Sequence, residues 1–311
     1  MSEQIQSVVI TGPTGAIGMA LIKKCIQEDV NVLAICHKGS KRVSIIPRDK
    51  HVTILEADLA DYVNLYQKNH ELQYDVFYHL AWNGTYGNTR NDMELQTDNI
   101  RYTLEAVKLA KRLDCHTFIG AGSQAEYGRV EGKLSADTQT NPENGYGMAK
   151  LCAGQMSRML CAQNGIKHIW ARFLSVYGPY DQEHTMIMST LLKMMNNEDT
   201  AFTPCEQVWD YLYSGDAAEY LYRLSIRGKD GEIYVLGNGN ARPLAEYIRI
   251  MQKLTKTKSK LEIGKISYGN NQVMRLEADI NKVVRDTGHT PTVDFDDGIV
   301  NIISYIGECI L

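Results

Sequence analysis

A doubly wound parallel α/β sheet followed by a smaller, mixed C-terminal lid is the fold this sequence predicts, on three observations. A β-branched run, Ile5–Thr11, leads into the glycine turn Thr11-Gly12-Pro13-Thr14-Gly15-Ala16-Ile17-Gly18, and a helical stretch follows. Apolar runs then alternate with helical periodicities over about 170 residues, which implies parallel strands covered on both faces. Connections of this kind are right-handed, and a strand–glycine turn–helix opening places an anion-binding helix N-terminus at the carboxyl edge of the sheet.

The elements follow in order. Ala16–Gln27 reads as the helix after the turn, Asn31–Cys36 as the second strand and Val52–Glu56 as the third. Tyr62–Asn69 reads as helical and Val76–Leu80 as the fourth strand. Met93–Arg112 is a helix by the spacing of Leu95, Ile100, Leu104, Val107 and Leu109. His116–Gly120 is the fifth strand, Tyr146–Gln163 a helix and Lys167–Phe173 the sixth strand. After Gly178-Pro179 the alternation breaks. Met186–Met195 and Asp216–Arg227 read as helices, Glu232–Leu236 as a strand, and Pro243–Leu254 as a helix with proline at its start. The lysine-rich stretch Lys253–Lys260 reads as exposed, and helices at Asp279–Thr287 and Asp296–Ile306 close the chain. The expected division is a dinucleotide domain over 1–178, with segments around 205–238 returning to it, and a substrate lid mainly over 179–311.

With 311 residues and 44% apolar content, the chain can bury a large core. A net charge of −4 without a basic face argues against nucleic acid as a partner. No apolar run reaches the length of a membrane span, and Met1-Ser-Glu-Gln4 lacks the basic region of a signal peptide, so a cytoplasmic protein is expected. The seven cysteines, Cys25, Cys36, Cys115, Cys152, Cys161, Cys205 and Cys309, form no CxxC pair and read as buried free thiols. No histidine or cysteine cluster suggests a metal site.

Chemistry enters with Tyr146-Gly-Met-Ala-Lys150. Residues at i and i+4 share a helix face, and an ammonium beside a phenol favours the phenolate, bringing a group that titrates near ~10 towards useful acid/base range. Gly12, Gly15 and Gly18 form the phosphate cradle, spaced Gly-x-x-Gly-x-x-Gly rather than Gly-x-Gly-x-x-Gly. A carboxylate at the end of the second strand would select NAD. Here stand Cys36-His37-Lys38-Gly39-Ser40-Lys41-Arg42, so His37, Lys38, Ser40 and Arg42 are expected to take a 2′-phosphate, NADP(H) being preferred and NAD(H) possible.

These residues resemble the extended short-chain dehydrogenase/reductase superfamily, in its nucleotide-sugar epimerase/dehydratase/reductase branch, whose nucleotide-binding part is a Rossmann sheet. The resemblance runs over nearly the whole chain. It rests on Thr11–Gly18, Asp58-Leu59, His79-Leu80-Ala81-Trp82, Asn99, Gly122-Ser123 through Tyr127-Gly128, Tyr146 with Lys150, Arg172-Phe173, Val176-Tyr177-Gly178-Pro179, and Trp209-Asp210-Tyr211 with Asp216. It implies cofactor contacts at Gly12, Thr14, Gly15, Ala16, Ile17 and Gly18, adenine contacts at Asp58 and Leu59, and further contacts at Leu80, Ala81, Trp82, Asn99 and Phe173. It implies Tyr146 as acid/base, Ser123 as the hydroxyl on the substrate oxygen, and Lys150 on the nicotinamide ribose. Thr85, Tyr86, Ser123, Ser175 and Trp209 are the expected substrate side. A homodimer through the two long helices is also implied.

Departures from the pattern narrow the reaction. Dehydratases of the family carry an acidic pair directly after the hydroxyl residue, where this chain has Gln124 and Ala125, and an extended chain would turn Glu126 to the opposite side. Epimerases usually place an arginine before Asp-Tyr, where this chain has Trp209. The reading is therefore an NADP(H)-dependent reductase of a 4-keto(-6-deoxy)hexose linked to a nucleoside diphosphate. A nucleotide-sugar 4-epimerase holding NAD is the alternative, with a cofactor-sensing relative without activity and a reductase of small or flavonoid-like ketones behind it.

Overall fold

In chain order the first half comprises β1 (Ser7–Thr11), α1 (Ala16–Gln27), β2 (Asn31–Cys36), β3 (Val52–Glu56), β4 (Val76–His79), α2 (Met93–Arg112), β5 (Thr117–Ser123), α3 (Gly145–Asn164) and β6 (Lys167–Phe173). The second half comprises β7 (Ser175–Tyr177), α4 (Met186–Met195), β8 (Thr200–Phe202), β9 (Val208–Trp209), β10 (Tyr211–Tyr213), α5 (Ser214–Arg227), β11 (Glu232–Leu236), β12 (Arg242–Pro243), α6 (Leu244–Thr255), β13 (Leu261–Ile263), β14 (Arg275–Leu276), α7 (Asn281–Thr287) and α8 (Phe295–Ile310). The computed structural model describes residues 5–66, 73–269 and 272–310.

Seven strands form one parallel sheet in the order β3-β2-β1-β4-β5-β6-β11. Side-chain alternation divides it into two apolar layers. Val8, Ile10 and Tyr78 pack with Met19, Leu21 and Ile22 of α1 and with Leu221 and Leu224 of α5. Val9, Phe77 and Phe118 pack on the other face with Ala106, Val107 and Ala110 of α2 and Cys161 of α3. A separate apolar centre joins α4, α6 and α8 through Leu191, Met194, Ile248, Met251, Ile299 and Ile302. Among the described residues no helix is long and apolar enough to cross a membrane.

The long helices are started by their caps. Asp92 accepts from Leu95 N at 3.1 Å to open α2, and Asn144 accepts from Gly147 N at 2.9 Å to open α3. Gly165, in the left-handed region at φ 68°, closes α3.

Several expectations need correction. The helix read over Tyr62–Asn69 is instead a 3-10 turn over Leu59–Val63, tied by reciprocal bonds between Asp58 and Asp61. Tyr66 has φ 51°, which breaks any helical continuation, and residues 67–69 lie outside the described residues. β5 runs to Ser123 rather than stopping at Gly120, because its pairing with β6 continues to Ser123 opposite Phe173. Three small sheets, β7 with β10, β12-β9-β14, and β8 with β13, went unread because strands of two or three residues show no alternation. Cys25, Cys36, Cys115, Cys161 and Cys205 are buried thiols, whereas Cys152 is half-buried on α3. The side chain of Cys309 and residues 1–4 lie outside the described residues.

Candidate active site

The order of strands reverses at β1 and β4, so the loops leaving their carboxyl ends open a crevice. Thr11 joins the two ends: Leu80 N and Ala81 N donate to its Oγ1 at 3.1 and 3.2 Å. His79 lies below, with Nδ1 3.1 Å from Thr11 Oγ1 and Nε2 3.3 Å from Thr103 Oγ1. Burial, with a smaller effect of the Lys150 charge, holds its imidazole down at about 3. His79 is therefore a neutral packing residue.

The three turn glycines do different work. Gly12 has φ 68°, and a Cβ there would stand 2.9 Å from Ala81 N; at Gly18 it would stand 2.3 Å from Gly12 O. Gly12 lets the loop after β4 pass against the turn, and Gly18 lets the turn close on itself. Gly15 has φ −81°, and a Cβ there would meet nothing nearer than 3.8 Å, so neither conformation nor packing within the chain requires glycine. A methyl at Gly15 would instead occupy the open space before α1. No side chain caps α1 and its first turn has no acidic residue, so this N-terminus suits an anionic ligand.

The basic loop after β2 is paired with groups at and beyond the end of β3 and with the Tyr180 carbonyl. His37 Nε2 lies 3.4 Å from Asp58 Oδ1, and Lys38 Nζ lies 2.8 Å from Asp61 Oδ2. Asp58 also accepts from Lys38 N at 3.1 Å, and Gly39 N donates to Glu56 at 3.0 Å. Ser40 caps the turn by accepting from Arg42 N at 3.3 Å, while the Arg42 guanidinium donates to the Tyr180 carbonyl. Leu59, buried, continues this wall. Asn99 is 1% exposed and ties down the next loop, accepting from Asn83 N at 3.1 Å and donating to Asn83 O at 2.8 Å. Its side chain is thus committed to the loop.

Ser123 at the end of β5 and Tyr146 in the first turn of α3 come together, close enough for the serine hydroxyl to favour ionisation of the phenol. Ser123 Oγ also accepts from Ala125 N at 3.2 Å. The Tyr146 ring is flanked by Trp82, edge-on at 6.1 Å between centroids, and by the Arg90 guanidinium, 4.4 Å from its centroid. Burial raises the phenol above its ordinary value, opposed by the Ser123 hydroxyl and then the Arg90 charge; Glu126 adds to the rise. Lys150 Nζ donates to Ala121 O at 2.7 Å, lies 3.7 Å from the Trp82 ring centroid and 5.8 Å from that of Tyr146.

Burial lowers the Lys150 ammonium to about 7, against a smaller upward pull from Glu126. Between about 7 and the ordinary lysine value, the unfolded chain binds the proton that the folded protein lacks. The contribution of this group to stability therefore rises with pH across that window and is lost as pH falls through 7. Denaturant unfolding at pH 7 and pH 10 should show wild type gaining stability relative to Lys150→Met; no relative gain contradicts the burial of the amine.

Glu126 points into the core, but residues 124–126 form a 3-10 turn and not the extended chain on which that expectation rested. The Glu126 side chain is fully buried, accepting from Ser123 N at 2.8 Å, Trp170 Nε1 at 3.0 Å and Arg172 Nε at 2.6 Å. Phe173 is buried at the end of β6. On the other wall, Trp209 Nε1 donates to Ser175 Oγ at 2.7 Å, Thr85 O accepts from Arg90, and Tyr86 stacks on His184 with centroids 3.9 Å apart. Asp210 anchors this wall, accepting from the backbone of Asn238, Gly239 and Ala278 at 2.6, 2.9 and 3.1 Å.

Sequence reasoning missed Arg90 and Gln96. Gln96, 2% exposed, accepts from Trp82 Nε1 at 2.9 Å and donates to Gly84 O and Thr89 O at 2.9 and 3.0 Å, binding the 82–92 loop into one unit. A polar residue on the apolar stripe of α2 was the available signal for Gln96. None existed for Arg90, whose neighbour is 56 positions away.

The model of the NAD dependent epimerase/dehydratase family matches residues 8–237. This chain belongs to that family. Within it, the chain is 24% identical to an uncharacterized UDP-glucose epimerase of Bacillus subtilis, over 97% of this chain and 98% of the relative. It is 25% identical to a dTDP-4-dehydro-6-deoxyglucose reductase of Escherichia coli, over 98% and 99%. Its fold matches that of a UDP-glucuronic acid 4-epimerase of Bacillus cereus, solved with UDP-glucuronic acid and NAD, with TM-score 0.84 and 20% identity over 98% of this chain and 100% of that one.

Proposed function

We propose that this protein acts on a nucleoside-diphosphate sugar with NAD and epimerises the sugar at C4. The observation that carries the reading is the Ser123–Tyr146 pair, whose one neighbouring carboxylate, Glu126, is already committed to Ser123 N, Trp170 and Arg172. Gln124 and Ala125 follow the serine, and Glu126 is spent in the core. Such a pair serves proton transfer and oxyanion stabilisation at one carbon, and supplies no acid/base couple for eliminating water at a neighbouring one.

The residues fit the dinucleotide. The Gly12–Gly18 turn at the α1 N-terminus, with Thr14, Ala16 and Ile17, would hold the pyrophosphate; Asp58 and Leu59 the adenine; Leu80, Ala81 and Phe173 the crevice side; and Lys150 the nicotinamide ribose. Bound there, NAD supplies reversible hydride transfer at the sugar carbon. Tyr146 takes the C4 hydroxyl proton in the oxidising direction and returns it in the reducing one. Ser123, whose Oγ already accepts from Ala125 N, has its own proton to donate to the sugar oxygen. Thr85, Tyr86, Ser175 and Trp209 form the substrate side, and the C-terminal unit acts as the lid. Exposed Met156 and Met159 on α3 support a homodimer through the long helices.

Pairing in the β2 loop supports NAD over NADP(H). Lys38 and Arg42, two of the basic residues that prompted the sequence-based preference, are engaged by Asp61 and the Tyr180 carbonyl, His37 lies beside Asp58, and these carboxylates would repel a 2′-phosphate. Replacing Gly15 with alanine is expected to leave the melting temperature unchanged and weaken NAD+ binding about 10-fold by crowding the helix N-terminus. Calorimetric titration of folded variant checks this; unaltered affinity removes the cradle from the site.

The reductase reading retains one favouring observation: Trp209, bonded to Ser175, stands where epimerases of the family carry an arginine. Purified protein carrying NAD+ and interconverting UDP-hexoses without added cofactor supports the epimerase. NADPH oxidation with a 4-keto-6-deoxy sugar nucleotide, without such interconversion, replaces it with the reductase. Cofactor binding without turnover of either leaves the sensing role.

A further inference from the structure

We propose that Arg90 is a positioning residue of this site: its guanidinium, fixed on the face of the Tyr146 ring, is the permanent positive charge that favours the phenolate. The inference rests on the reading of Tyr146 as the acid/base group. Three charged side chains bear on that phenol from three elements. Arg90 comes from the turn before α2, Lys150 from α3 and Glu126 from the turn after β5. Glu126 opposes ionisation of the phenol. Measured to the ring centroid, Arg90 lies at 4.4 Å and Lys150 at 5.8 Å, the amine donating to Ala121 O and lying over the Trp82 face. Burial lowers the Lys150 ammonium, whereas a guanidinium stays charged at every working pH.

The position of Arg90 is built. Its NH1 donates to Thr85 O at 3.1 Å. Its 3-10 turn, Gly87–Asn91, docks on the start of α3, where Asn91 accepts from Gly145 N at 3.0 Å. A Cβ at residue 145 would stand 3.0 Å from Arg90 O, so the turn and the helix meet backbone to backbone. Gln96 fastens the same loop at Trp82, Gly84 and Thr89. Trp82 and Arg90 therefore reach Tyr146 from one hydrogen-bonded loop.

The test is the titration of Tyr146 itself. Protein labelled with 3,5-difluorotyrosine, whose lower intrinsic pKa brings the phenol into range, is saturated with NAD+ and followed by fluorine NMR. The Tyr146 resonance is assigned by its loss in Tyr146→Phe. In Arg90→Met the midpoint should move up by about 1 pH unit or more, the usual effect of removing an opposite charge at this distance. Arg90→Lys should recover part of that shift. An unmoved midpoint in Arg90→Met overturns the proposal, including where turnover falls uniformly with pH, which would mark Arg90 as a substrate contact instead. The readout needs no turnover. A shifted midpoint in a protein inactive on every nucleotide sugar keeps the Arg90 assignment and removes the epimerase reading.

Discussion

Replacing Tyr146 with phenylalanine is expected to lower kcat about 10³-fold, within the ordinary range for a positioned acid/base group, while NAD+ binds with undiminished affinity. The separation follows from what the ring touches. Its face meets Arg90 at 4.4 Å and its flank meets Trp82 at 6.1 Å, contacts that phenylalanine keeps. Only the hydroxyl beside Ser123 is lost. Lys150, held by Ala121 O and Trp82, does not depend on that hydroxyl, so the cofactor side stays intact. The remaining activity should also lose its pH dependence. On the epimerase reading, the wild-type rate of sugar oxidation should climb with pH as the phenol ionises, a limb that burial shifts upward. Steady-state rates across pH, paired with NAD+ titration by tryptophan fluorescence, check both halves. A variant within threefold of wild type would show that another group carries the proton.

The parts of this site that lie in one stretch of chain were legible in the sequence. The glycine turn, the Tyr146/Lys150 spacing and the long helices were readable because each depends on neighbours within a few positions, where backbone geometry alone decides who meets whom. The strands β2, β3 and β6 and the helices α1, α2 and α4 have the bounds the pattern gave. Charge pairing across loops was not readable. Lys38 looked free until Asp61 was brought to 2.8 Å of it, and Arg42 until it reached Tyr180, 138 positions away. The same limit hid Arg90. Sequence spacing put Lys150 on the right helix face; only packing against Trp82 shows where its ammonium goes.

Truncating Glu126 to alanine should produce the largest loss of stability, about 3–5 kcal/mol. The carboxylate has no exposed surface, and its partner Arg172 is 3% exposed. Without Glu126 the guanidinium keeps only the face of Tyr127, 4.6 Å from its centroid, and an uncompensated charge remains in the core. Ser123 N and Trp170 Nε1 lose their acceptor at the same time. The site cannot relax by moving the indole. Trp170 fills space left by Gly120, Gly122 and Gly154, where an added Cβ would fall 2.2, 2.4 and 2.6 Å from its ring atoms. Urea unfolding should show a lower midpoint at an unchanged slope. Charge rather than volume is the cause, so Glu126→Met with Arg172→Met should recover most of the loss, since a buried pair replaced on both sides costs little. The double variant should nevertheless stay slow, because Ser123 N still lacks the oxygen that fixes it beside Tyr146. If the single variant is as stable as wild type, Arg172 has found another counter-charge. If the double variant is stable and fully active, Glu126 serves the core alone and Ser123 is held by its own turn.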